Sequence, residues 1–458
     1  TNLWNFCSQQ LIQGVTGVNL GSISGMPARP HGIEIYKEGN NYIGFLGNDG
    51  LVTGTSYPIV RLNFGSSILN IPTTTAMPSF TENVTPRFLR FIKEGTDWYA
   101  IVAGQKISYQ PAVTILKFGN SLMNTPSVYN DLGNMGGLIN VSNLTGIALE
   151  KSGSNVVAFV TSAEGRLFRI NFGTTITNLN PAGVDLGNFG VLTVNNRFKL
   201  IQQNGNWYGF TANDGYPNSP TNDKLFRLSF GTSLLTTPIV TNLGNPNNKM
   251  NRIYDLLPYN DCETVKLLGV NVGNSEIISF SFPLGITANQ VSGVSFGNIG
   301  SLAQPTGLSQ VIVENGNKYV VVANSQTNSL TRLLIEPACN PVGVPSSTLI
   351  NPPIFTLNTL GTITVSLTID KNLATESSTC QEIVVIDTIK KPDARINTIT
   401  CSTDSIRLTI ANVDPTATYS WTGPNGFTST RPTVSIKFTG ASQAGQYIVT
   451  SISRCGSK

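Results

Sequence analysis

A short phrase ending in Phe-Gly recurs along this chain, and its spacing restricts the fold more than any other feature. Leu62-Asn63-Phe64-Gly65, Lys117-Phe118-Gly119, Ile170-Asn171-Phe172-Gly173 and Leu228-Ser229-Phe230-Gly231 place their phenylalanines 54, 54 and 58 residues apart. A weaker copy ends at Phe282, and Arg332-Leu333-Leu334-Ile335 echoes Arg61-Leu62-Asn63-Phe64 with Ile in the aromatic place. A repeat of this period is a supersecondary unit that buries its apolar face only against the next copy.

Each copy has the same internal grammar. In the first, Ile33-Glu34-Ile35-Tyr36 alternates into the turn Lys37-Glu38-Gly39-Asn40, and Tyr42-Ile43-Gly44-Phe45 leaves it. Period-two alternation across a Gly-Asn turn predicts a hairpin. A loop of variable length leads to the Phe-Gly strand. A fourth short strand follows, marked by Leu132-Gly133-Asn134, Leu186-Gly187-Asn188, Leu243-Gly244-Asn245 or Phe296-Gly297-Asn298. Six units of four antiparallel strands predict a six-bladed β-propeller, with an open solenoid of the same units as the alternative. The sixth copy lacks a fourth strand after Ile335, while Leu20-Gly21-Ser22 has no blade of its own, so the first strand is expected to complete the last blade.

The flanks read differently. Leu3-Trp4-Asn5-Phe6-Cys7 precedes the repeats, whereas Asn351-Pro352-Pro353, the strand Gly361-Thr362-Ile363-Thr364-Val365 and the strand Ile383-Val384-Val385-Ile386 follow them. Together these resemble the two halves of a PKD-type sandwich, with Asn5, Cys7 and Ile363 where that pattern has Asp, Gly and Tyr. The last segment carries Tyr419-Ser420-Trp421-Thr422-Gly423-Pro424-Asn425-Gly426 between alternating runs, which are immunoglobulin-like cues. The expected fold class is therefore all-β, with four segments: 1–13, first part of a PKD-like sandwich; 14–336, six-bladed propeller; 337–391, second part of the sandwich; 392–458, Ig-like sandwich.

Composition removes several functions. Among 458 residues, Lys+Arg 29 against Asp+Glu 25 gives a net charge of only +4, no footprint for a phosphate backbone, so nucleic acid is not an expected partner. His31 is the lone histidine, which excludes mechanisms that need paired imidazoles and most zinc sites. Following Pro30, it reads as a packed or solvated residue without a catalytic role, and no cofactor is expected. No apolar run is long enough for a membrane span. The chain opens on Thr1, which suggests a processed protein or an excised piece. Six cysteines without a Cys-x-x-Cys pair suggest an oxidising compartment.

Loops between second and third strands share a rim with the links between blades, where propellers commonly bind ligands. That rim offers Asp49 and Tyr57 in blade one, Tyr109 in blade two, and Asp214, Tyr216 and Asp223 in blade four. Arg87, Arg197 and Arg252 open the inner strands of blades two, four and five and are expected to ring the channel mouth. They could hold an anionic sugar or only water and backbone carbonyls. The Asn-Asp-Gly triplets at Asp49 and Asp214 could offer oxygens to Ca²⁺ without completing an EF-hand. Asp49 and Asp214 lie three blades apart, too far for a glycosidase carboxylate pair.

The wording Trp-Thr-Gly-Pro-Asn-Gly-Phe at 421–427 and the Phe-Gly-Asn-Ser-Leu repeat at 118–122 resemble large SprB-like gliding-motility adhesins of Bacteroidetes. The resemblance implies type IX secretion, an extracellular, cell-surface location and a non-enzymatic adhesin segment binding a surface glycan or protein. The alternative is a propeller-type polysaccharide-degrading enzyme, a lyase or glycosidase. Asp387-Thr388-Ile389 and Asp404-Ser405-Ile406 resemble an O-glycosylation acceptor motif of the same group. Cys401 and Cys455 flank terminal strands of one small sandwich and are expected to pair. Cys7 and Cys339, at the exit and the return, are expected to clamp the stem, with Cys339–Cys380 as the competing bridge and Cys262 as a buried thiol.

Overall fold

The computed structural model describes residues 3–8, 15–49, 57–193, 195–213, 223–261, 264–336, 340–341, 347–352, 354, 361–369, 377–385, 391–401, 404–415, 417–453 and 456–457. Two units emerge: residues 10–339, and a second built from residues 1–9 and 340–458.

The first unit is the six-bladed propeller. Blade 1 pairs Pro30–Glu38, Asn41–Asn48, Val60–Gly65 and Thr73–Ala76 in sequence order. Blades 2 to 5 repeat this order, with inner strands Phe88–Glu94, Leu144–Ser152, Asn195–Gln203 and Ile253–Asp261. In blade 6 the inner edge is broken into Pro305–Leu308 and Ile312–Glu314, followed by Asn317–Asn324 and Ser329–Glu336. Its outer strand is Thr16–Ser22, antiparallel to Ser329–Glu336, so the chain start closes the ring as the repeat count requires. This clasp removes the open edges that two unjoined terminal blades would expose.

The motif phenylalanines explain the period. Phe118 of blade 2 meets Phe45 of blade 1 at 5.3 Å, and Phe230 of blade 4 meets Phe159 of blade 3 at 5.2 Å. Each repeat thus completes the core of the blade before it.

A second period joins the same neighbours. An arginine three residues before the motif residue reaches the loop after the third strand of the next blade: Arg61 to the Met123 carbonyl, Arg169 to Leu235 at 2.6 Å, Arg227 to Ile286 at 2.5 Å and Arg332 to Leu69 at 2.6 Å. From the inner strand, Glu38 accepts from the Leu122 N–H and Glu94 from the Ile176 N–H, both at 3.0 Å. Glu314 accepts from the Ser67 hydroxyl, again at 3.0 Å. Arg332 and Glu314 therefore fasten blade 6 to blade 1, beside the strand clasp. Arg332→Ala is expected to lower propeller stability by about 1 kcal/mol, since the released carbonyls can turn to water. Calorimetry of the propeller transition checks this, and an unchanged transition would show that the strand clasp alone closes the ring.

In the second unit, Leu3–Ser8 lies between Asn340–Pro341 and Gly361–Ile369, and Ser377–Val385 adds the outer strand. The segment before the propeller is thus completed by strands after it, as a split sandwich predicts. Trp4 Nε1 donates to the Leu349 carbonyl at 2.9 Å. Beyond this sheet, Ser405–Ile410 with Thr433–Lys437 and Thr418–Gly423 with Ile448–Ser453 form the two faces of the C-terminal sandwich. Trp421 is fully buried there, its Nε1 donating to the Arg431 carbonyl at 3.1 Å.

The Cys401–Cys455 expectation fails, because Cys401 is an exposed free thiol. Its backbone N–H is fastened instead to the Asp404 carboxylate at 3.0 Å, which closes a local turn at the strand entrance without a bridge. Cys380 is disulfide-bonded. Cys262, Cys339, Cys455 and the side chain of Cys7 lie outside the described residues, and the stem clamp with them.

Candidate functional site

The inner strands converge at the propeller axis, and their first residues form the channel mouth. Backbone pairing between blades 1 and 2 sets its geometry. The Gly32 N–H donates to the Arg87 carbonyl at 3.0 Å and the Asn48 N–H to the Pro86 carbonyl at 2.8 Å. This approach requires glycine at 47, where a Cβ would lie 2.1 Å from the Arg87 oxygen. The consequence is chemical, because it brings Arg87 alongside Asp49.

Arg87 Nη2 lies 2.5 Å from Asp49 Oδ1, while its Nη1 donates to Asn143 of the blade 3 entry at 2.9 Å. Arg29 stands 3.9 Å from the other Asp49 oxygen and is partly exposed. His31 Nε2 is 3.8 Å from that same oxygen and 2.9 Å from the Tyr254 hydroxyl of blade 5. The imidazole meets the Tyr254 ring edge-on. Burial foremost, and then the charges of Arg197, Arg87 and Arg29, hold its pKa well below the ordinary histidine value. A neutral imidazole thus sits against a phenol beneath a cationic rim.

Arg197 floors this mouth. Its guanidinium lies 3.9 Å from the centre of the Phe88 ring and 5.5 Å from that of Tyr254, and its Nη2 donates to the Thr306 carbonyl across the axis at 2.5 Å. The backbone at Arg197 is left-handed, φ +30°, a conformation that L-residues keep only when their surroundings enforce it. Below it, Asp255 accepts from the Leu308 and Leu256 N–H groups at 2.8 and 2.9 Å, one on each oxygen, and Lys199 Nζ stands 3.8 Å from the oxygen that Leu256 binds. Burial, with Arg90 adding to it, lowers Lys199 to about 8. Glu34 pairs with Arg90, and the cavity beside them measures only about 10 Å³, room for one water.

The remaining expected residues scatter. Tyr109 is exposed on its turn at φ +62°. Tyr57 is partly buried, its N–H donating to Val84 at 2.8 Å. Asp223 is fully buried and accepts from the Arg252 N–H at 2.8 Å, fixing the blade 5 entry, so this pair fastens two blades. Asp214 and Tyr216 lie outside the described residues. The structure thus brings together Asp49, Arg87 and, one level down, Arg197, and adds His31 and Tyr254. Reading His31 as a bystander missed its partner 223 residues away.

The architecture is a six-bladed propeller whose axial mouth carries an Asp-Arg-His-Tyr cluster. Residues 389–458 match the model of a PKD-like domain. That name belongs to the C-terminal sandwich read above by its immunoglobulin-like cues. No curated protein sequence matches the chain. Among solved structures, the chain is similar to a glycosyl hydrolase from Bacteroides ovatus at 7% identity and TM-score 0.43, over 68% of this chain and 87% of that one. It is similar to AofleA from Arthrobotrys oligospora, solved as a triple arginine mutant, at 11% identity and TM-score 0.45, over 74% and 94%. An exo-β-1,3-galactanase from Phanerochaete chrysosporium gives 11% and 0.42, over 99% and 94%. Likeness at this level concerns the fold.

The expectation of a non-enzymatic adhesin is corrected at the mouth. Glycoside-cleaving enzymes stand among the structures of similar fold. The argument from absent catalytic groups falls as well, since the mouth gathers a neutral imidazole, a phenol, a carboxylate and arginines.

Proposed function

We propose that this chain is an extracellular polysaccharide-degrading enzyme whose reaction centre is the propeller mouth. The observation that carries the reading is the 2.9 Å contact between His31 and Tyr254, set beside the Asp49–Arg87 pair and drawn from blades 1, 2 and 5. A base held neutral, a hydroxyl it can polarise and a charged seat for a substrate group are the parts general acid-base chemistry needs. An oxidised Cys380 suits an extracellular setting.

The test is depolymerisation. On a panel of neutral and anionic polysaccharides, the full chain should release new chain ends. His31→Ala and Arg87→Ala should each lower kcat/KM at least about 10²-fold with the fold retained by circular dichroism. Turnover on no member of the panel, or turnover indifferent to both substitutions, would overturn the reading.

A further inference from the structure

Resting on that reading, we propose that the mouth catalyses β-elimination on a uronate-containing polysaccharide, with Tyr254 as the base, His31 as its proton partner, and Arg29 and Arg87 as the seat of the uronate carboxylate. Two features lead to this reaction class.

The first is the state of the carboxylates. Hydrolysis of a glycosidic bond needs one carboxyl group kept protonated near a second one. The described carboxylates of this rim include Asp49, Glu164 and the fully buried Asp223, which is taken up by the Arg252 N–H. Asp49 is paired to Arg87 and approached by Arg29. Glu164 accepts from the Ser142 N–H at 2.7 Å and from its hydroxyl at 2.5 Å. Burial pushes its pKa up, but these donors outweigh it and hold the group below the usual carboxylate range. Glu150 is the carboxyl pushed up to about 7, by burial foremost. Its electrostatic neighbours are Arg90 and Glu34, on the strands below the Arg197 floor. Asp49, held in an ion pair, and Glu164, held by its donors, are thus not set up as the protonated acid that hydrolysis needs.

The second is charge. Three arginines, Arg29, Arg87 and Arg197, stand around the dyad against Asp49 above and Asp255, 4.0 Å from Arg197, below, so the mouth keeps a positive excess that attracts an anion. Elimination asks for that combination. A uronate C5–H becomes acidic only when the adjacent carboxylate is neutralised, and the base must be able to shed its own proton as it takes that one. Arg29 is the partly exposed member and can turn toward substrate while Arg87 stays anchored on Asn143. Arg197 places its guanidinium 5.5 Å from the Tyr254 ring centre.

The step balances within the site. With the substrate carboxylate offsetting the arginine charges that oppose an imidazolium, the Tyr254 phenol proton passes to His31 Nε2 as the phenolate oxygen takes the C5 proton. The C5–H electron pair forms the C4=C5 double bond, and the C4–O bond breaks with its electrons on the departing oxygen. Tyr254 hands the abstracted proton to that oxygen and recovers its own from His31. No water, metal or oxidant is consumed.

The experiment incubates the full chain with polygalacturonate, alginate, xylan and galactan, and reads the near-ultraviolet absorbance of unsaturated ends together with product masses. The expected result is unsaturated ends from a polyuronate, each such product lighter by one water than its hydrolytic counterpart. Tyr254→Phe should lose at least about 10²-fold in kcat. Arg29→Ala, a surface change, should raise KM for the polyuronate about tenfold with little change in kcat. His31→Gln should move the pH profile of kcat, which a merely structural role would leave in place. Saturated products from any polymer would overturn the elimination and leave the enzyme reading standing, whereas no cleavage of any polymer would overturn both. Unsaturated ends formed equally by Tyr254→Phe and Arg29→Ala would overturn this site assignment.

Discussion

Asp255→Ala is expected to destabilise the propeller by about 3–5 kcal/mol, because it leaves buried cations without their counter-charge. The carboxylate is almost completely buried and satisfies the Leu308 N–H of the broken blade 6 strand as well as its own neighbour, Leu256. Lys199 stands 3.8 Å and Arg197 4.0 Å from its oxygens. Removing it orphans a backbone donor and two charges together. Asp255→Asn keeps an acceptor for Leu308 but not the charge, and should lose an intermediate amount. Denaturant or calorimetric unfolding of the propeller transition measures both. A loss below about 1 kcal/mol for Asp255→Ala would mean that water or Glu34 takes over the counter-charge.

A smaller but sign-specific effect is expected at Glu150. Its pKa in the folded chain is raised from 4.5 to about 7 by burial, against the pull of Arg90 and with the push of Glu34. Between these two values the folded state holds a proton that the unfolded chain has released, so stability falls as pH rises through that window. Above about pH 7 the full cost is present. After allowance for partial exposure, it is about 1–3 kcal/mol. Glu150→Gln carries no charge to bury. It should match the parent near pH 4 and exceed it by that amount near pH 8. Parallel stability curves across the range would show that Arg90 compensates the carboxylate fully.

The ring was legible because a 54-residue period survives in plain residues, Phe64, Phe118 and Phe172, each filling the core of the blade before it in the ring. The arginine period at 61, 169, 227 and 332 was equally visible and passed unread, since its meaning, a clamp on the next blade's loop, appears only once neighbours are side by side. The site was half legible. Blade register placed Arg87 and Arg197 at the mouth but could not separate the one facing Asp49 from the one stacked on Phe88. His31 looked inert because its chemistry depends on Tyr254, a contact made by closing the ring. Asp223 failed the other way: its type suits a ligand site, but a backbone N–H occupies it.

The split sheet sets an order of events during folding. Leu3–Ser8 pairs with Gly361–Ile369, and in an unfolded chain roughly three hundred residues of propeller separate the two. Once Thr16–Ser22 has docked on Ser329–Glu336, the two ends of that long insert are neighbours. The effective loop then shrinks to 7 residues on one side and 24 on the other, lowering the closure cost by about 2 kcal/mol. The sheet around Leu3–Ser8 therefore forms more readily once the propeller has locked than before. A translating ribosome holds the first strand in waiting until the last blade has emerged.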